Sequence, residues 1–109
     1  MPGTPLPGRK VRGSVTGRPL MAALDLLGRR WTLRVLWELR DGPIGARALR
    51  SQCDDMSSSV LYGRLNELLN SGLIRQTEGR DYELTPIGQE LGRAIEPLDT
   101  WSKKWSRTH

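Results

Sequence analysis

Serine, cysteine and histidine are the side chains here that could first suggest a reaction, and their placement argues against one. Ser57-Ser58-Ser59 form a run, Cys53 is the only cysteine and His109 the only histidine. A hydrolytic serine needs a base within hydrogen-bond reach and a glycine-flanked turn to expose it. Here the histidine is the last residue and the serines sit in no such turn. One cysteine with one histidine is too few ligands for a metal site, and a single thiol closes no internal disulfide. The sequence therefore reads as non-enzymatic, with no catalytic residues, no metal and no cofactor. Cys53 reads as a small buried core residue in preference to a sensor.

What the serines can do is hydrogen-bond. At about 100° per residue, Ser59, Tyr62 and Asn66 share one side of a helix, while Leu61, Leu65 and Leu68 lie on nearly the opposite side. Serine hydroxyls donate to or accept from bases and phosphates, and tyrosine stacks on sugar or touches a thymine methyl. Were this the second helix of a helix-turn-helix, whose N-terminal residues lie nearest the bases, Ser57, Ser58, Ser59, Tyr62 and Asn66 would be the candidate base-reading residues. Arg30, Arg47, Arg50, Arg64 and Arg80 are candidate phosphate contacts; Arg64 lies away from Tyr62 on the helix and suits a phosphate or a scaffold brace. Gly63, inside the same helix, costs about 0.5–1 kcal/mol relative to alanine. It either lets the helix approach DNA closely or is a tolerated loss of side chain.

Those residues need elements to hold them. Leu20, Ala23, Leu24 and Leu27 predict a first helix beginning near Pro19, interrupted at Gly28. A second is predicted from about Trp31 to Leu39, and Asp41-Gly42-Pro43 stops it. Ile44 contributes at most a very short strand before a third helix over about Gly45 to Gln52. After a turn at Asp54-Asp55-Met56, a fourth helix runs from Ser57 or Ser58 to Asn70, and Gly72 ends it. Leu73–Thr77 and Tyr82–Leu84 read as a hairpin around Glu78-Gly79-Arg80-Asp81. Thr85-Pro86 caps and opens a last helix whose apolar stripe runs from Ile87 to Trp105. Pro97 within it should kink the helix near Arg93. Four helices, a hairpin and a helix make a mainly α winged helix-turn-helix.

The chain is long enough for one domain with one core. No apolar run approaches membrane-spanning length, and the N-terminus lacks a secretory pattern. Net charge is +5, but residues 1–18 carry Arg9, Lys10, Arg12 and Arg18 with no acidic residue, leaving the rest near neutral. Residues 1–17, rich in proline and glycine, are expected to form a disordered basic arm, which either attracts nucleic acid or acts as a solvated leader. Residues 18–109 are expected to form the winged helix domain with a C-terminal dimerisation helix.

Filled with these residues, that order resembles the HxlR-type regulators of the MarR-like superfamily, a bacterial branch of winged helix transcription factors. The similarity rests on Leu24 to Leu33, Leu36 to Leu39, Asp41-Gly42-Pro43, Ser57 to Leu68, Gly72-Leu73-Ile74, Tyr82 to Gly88, Glu96-Pro97-Leu98 and Trp101. The resemblance implies a cytoplasmic, nucleoid-associated regulator of double-stranded DNA. It also implies a homodimer joined by the first and last helices, with one recognition helix per subunit in the major groove of a pseudo-palindromic operator. Leu20, Leu24, Leu27, Leu98, Trp101 and Trp105 are the candidate interface. Trp37 and Trp105 either pad that interface or line a pocket for a hydrophobic effector, the interface being preferred. Four features depart from the family pattern. Arg18 stands where many members have a sensor cysteine, Arg29 replaces a glycine, the wing is short, and Gly63 interrupts the recognition helix. The alternative function is a winged helix that binds protein and contacts DNA weakly or without specificity.

Overall fold

The computed structural model describes residues 3–8 and 18–109. Most of the expected basic arm, including Arg9, Lys10 and Arg12, lies outside the described residues, whereas Thr4 and Pro5 within its described part are buried. Its elements are α1 (Pro19–Leu27), α2 (Thr32–Glu38), α3 (Ala46–Gln52), α4 (Ser58–Asn70), β1 (Ile74–Gln76), β2 (Tyr82–Leu84) and α5 (Pro86–Ser106). The order is the one the periodicity predicts. The largest local departure is the start of α2. Trp31 is not its first helical residue but its N-cap, at φ 75°. A left-handed conformation costs a non-glycine residue roughly 1–2 kcal/mol. The half-buried indole, packed against the core, offsets that cost.

α2, α3 and α4 bury their apolar faces together. Val35, Leu36 and Leu39 meet Leu49 and Cys53, and Leu61, Leu65 and Leu68 close the cluster from α4. Burying each leucine contributes about 1.5–3 kcal/mol, so these three seat α4 firmly and leave its other side to solvent. Cys53 is fully buried at the end of α3, and that burial pushes its thiol up.

The turn between α3 and α4 places two successive residues, Asp54 and Asp55, in the left-handed region at φ 57° and 54°. Aspartate tolerates that region better than most side chains. The Asp55 amide donates to the Arg50 carbonyl at 3.0 Å, and Arg50 Nε donates to the Met56 carbonyl at 2.6 Å. Ser57 then caps α4, its Oγ accepting from the Val60 amide at 3.2 Å. At the far end, Gly72 takes φ 80°, the Gly72 amide donates to the Leu69 carbonyl and the Leu73 amide to the Leu68 carbonyl. That pair of bonds is a Schellman stop, which only glycine enters without strain.

β1 and β2 pair antiparallel, with Ile74 opposite Leu84 and Gln76 opposite Tyr82. Ile44 adds a single bridge to Tyr82, the very short strand that the sequence allowed. At the tip the left-handed residue is Arg80, at φ 66°, and not Gly79. The Thr77 amide donates to the Asp81 carbonyl at 2.7 Å and the Arg80 amide to the Thr77 carbonyl at 2.9 Å. This is a three-residue loop, and its geometry requires the left-handed residue at the third position.

Thr85 joins the wing to α5. Its Oγ1 accepts from the Gly88 amide at 3.2 Å and donates to the Gly72 carbonyl at 2.6 Å. Gly88 packs against the strand leading into the wing so closely that a Cβ would sit 2.0 Å from the Leu73 carbonyl oxygen. α5 runs as one helix through Pro97 to Ser106.

Candidate nucleic-acid interface

α4 presents Ser58, Ser59, Tyr62 and Asn66 to solvent, as the spacing predicts, with Leu61, Leu65 and Leu68 buried behind them. Ser57 is also exposed, but its hydroxyl is engaged as the helix cap and lies 3.4 Å from Ser59 Oγ. Tyr62 is 49% exposed on the solvent side of the helix. It stands near the wing residue Tyr82, whose phenol is pushed up by its own burial, with Tyr62 contributing less. A Cβ added at Gly63 would meet nothing within 4 Å.

The five candidate arginines separate into two groups. Arg47 on α3 and Arg80 at the wing tip are exposed and carry no ion pair among the described residues. Arg30 is exposed beside Trp31, its guanidinium 5.9 Å from the ring centre. Arg50 braces the α3–α4 turn through the Met56 carbonyl. Arg64 faces inward. Its Nε lies 3.0 Å from Glu67 Oε1, an ion pair without hydrogen-bond alignment, and its Nη1 reaches the Arg30 carbonyl at 3.5 Å. Of the two roles open to Arg64, these contacts are those of a brace.

Two positioning residues escaped the sequence reading. Arg34 on α2 pairs with Glu38 at 2.9 Å, with Asp54 at 3.3 Å and with the Gln52 carbonyl at 2.6 Å. The Glu38 hydrogen bond pushes its guanidinium up further, and burial opposes this more weakly. It ties α2 to the turn that aims α4. Glu67, buried on α4, takes Arg29 from the α1–α2 junction as well as Arg64. The available signal was a carboxylate at the margin of α4's apolar side, next to Leu68.

α1 and α5 leave apolar residues uncovered. Leu20, Leu24, Ile87, Leu98, Trp101 and Trp105 are each at least half exposed. Leu27 instead packs partly buried against the core. Trp101 and Trp105 stack with ring centres 5.5 Å apart, and His109 meets Trp105 edge-on at 5.4 Å. Trp37 lines a cleft of about 370 Å³ with Leu33, Ile95 and Leu98, and Arg40 lies over its ring at 3.8 Å. Trp105 is not among the residues that line that cleft.

The model of the HxlR-like helix-turn-helix family matches residues 26–109. The chain belongs to this family. A relative from Methanocaldococcus jannaschii, named as the uncharacterized HTH-type transcriptional regulator MJ0925, is 33% identical over 89 residues, covering 78% of this chain and 83% of the relative. Among solved structures, quinone-bound YodB from B. subtilis superposes with a TM-score of 0.71 at 26% identity, covering 78% of this chain and 94% of YodB. A possible HxlR family transcriptional factor from Thermoplasma volcanium gives a TM-score of 0.71 at 28% identity, covering 78% and 82% of the two chains. The protein is a winged helix-turn-helix transcriptional regulator of the HxlR family. Arg18, where the sequence lacks the sensor cysteine of many members, is exposed at the start of α1 and makes no side-chain cap. No described helix is long and apolar enough to cross a membrane.

Proposed function

We propose that the protein is a sequence-specific regulator that binds a pseudo-palindromic operator as a homodimer, acting in the cytoplasm on double-stranded DNA. One observation carries this reading. The face of α4 opposite its leucine anchors is a solvent-exposed row of Ser58, Ser59, Tyr62 and Asn66. In a helix-turn-helix the second helix enters the major groove with its N-terminal residues nearest the bases. Arg47 and Arg80, free of ion pairs among the described residues, supply phosphate contacts from α3 and the wing; exposed Arg30 adds to them, and Arg50 does so while its Nε braces the Met56 carbonyl. Ser57 is left to cap the helix and Arg64 to brace it.

The exposed apolar surface of α1 and α5 supports the dimer. Six large apolar side chains at least half exposed on two helices exceed the scattered exposure usual for a monomer. Two copies joined there would set recognition helices in successive major grooves, roughly 10–11 base pairs apart.

Arg80→Ala and Tyr62→Ala, titrated against a panel of related duplexes by fluorescence anisotropy, test the docking. Arg80→Ala should weaken binding about equally on every sequence and lower the salt slope by about one. Tyr62→Ala should change the ranking of sequences. The reverse pattern would overturn this orientation. Uniformly weak binding by the unaltered protein would favour a winged helix whose partner is another protein.

A further inference from the structure

Arg29 reaches in two directions at once. Its Nη1 donates to Oε2 of Glu67, buried on α4, and its Nη2 donates to the Gly3 carbonyl. The N-terminal segment that supplies that carbonyl lies against the helical domain. Thr4 is 7% exposed, Pro5 is buried, and Pro5, Leu6 and Pro7 form one wall of an apolar groove. Ala22 and Leu26 of α1 and Leu91 of α5 line the same groove.

We propose that residues 3–8 are a strap that positions the recognition helix, acting through Arg29 on Glu67. Three features of the chain support a strap over an adventitious contact. Pro5 and Pro7 fix their own backbone angles, so the segment gives up little conformational freedom on docking. Its apolar residues share that groove with Ala22, Leu26 and Leu91. Its carbonyl accepts from the guanidinium arm that faces away from Glu67, an arm that also lies 3.9 Å from Asp25 Oδ2. A buried carboxylate held between Arg29 and Arg64 is costly to leave half-paired. Whatever moves Arg29 therefore moves the C-terminal half of α4. The strap also rests on α1, which carries Leu20 and Leu24 of the exposed apolar surface, so it lies where α1 meets the support of the DNA-facing helix. Its consequence for DNA affinity rests on α4 being the reading helix; its consequence for α4 itself does not.

The test uses the full chain, a chain lacking residues 2–8, Arg29→Ala, and the two changes combined. Thr4→Lys, which puts a charge into the buried seat without shortening the chain, serves should the deletion fail to fold. Amide hydrogen exchange is followed at residues 65–71, and operator affinity alongside it. Unseating the strap is expected to speed exchange there about five-fold or more and to weaken operator binding by a similar factor. Removing the strap from Arg29→Ala should change nothing further, because the link is already cut. Unchanged exchange in both strap variants would overturn the proposal, and so would effects of deletion and Arg29→Ala that add. Faster exchange in a protein that binds no DNA in any form would uphold the strap and refute the DNA reading of α4.

Discussion

Arg80 carries two opposing demands. It holds the left-handed position of the wing loop, at φ 66°, where glycine would sit without strain, and it is a tip cation with no ion pair among the described residues. An Arg80→Gly variant should therefore gain up to about 1 kcal/mol of stability while losing affinity for DNA, with urea unfolding and anisotropy measured on one preparation. A variant that lost both would show that the arginine holds the wing together, not the DNA. Single residues were also where the sequence was least legible. Ser59, Tyr62 and Asn66 could be placed because a helical period alone decides which side they face. Arg29 and Glu67 could not, because they are 38 residues apart in sequence and meet only once the α1–α2 junction is folded. The left-handed Trp31 was hidden for the same reason, since its conformation is set by tertiary packing and not by its neighbours in the chain.

Helices and hairpin were legible because each carries its own punctuation. Gly72 ends α4 and Thr85-Pro86 opens α5, and the structure realises both through the hydrogen bonds their side chains and backbones permit. The wing tip was only half legible: the chain reverses at Glu78-Gly79-Arg80, but backbone hydrogen bonds, and not the presence of a glycine, decide which residue turns left-handed. Within α4, Gly63 faces open space, so alanine there should stabilise the protein by about 0.5–1 kcal/mol with no steric cost. Chemical unfolding of Gly63→Ala checks this. A stability loss would mean that the helix is not free to accept a side chain at that point.

Among the described residues, α4 exposes a polar face and α1 and α5 expose an apolar one. If that apolar face joins two copies, Trp101→Ala with Trp105→Ala should leave the fold intact, because both indoles are half exposed in one chain. The same pair should shift the protein toward monomer and raise the concentration needed for DNA binding. Sedimentation velocity on the double variant gives the first readout; an unchanged dimer would move the interface elsewhere. In the proposed dimer, pairing two subunits would turn four polar side chains on each α4 into a specific reader. Serines, one tyrosine and one asparagine discriminate modestly at a single half-site, and two half-sites at fixed spacing multiply that discrimination. The most direct test is a selection of double-stranded DNA, sheared from the source genome, by the purified full-length protein at about 150 mM salt. Enrichment of a short inverted repeat with half-sites roughly 10–11 base pairs apart is the expected result. Retention of all fragments alike, lost as salt is raised, would contradict sequence-specific recognition by this face.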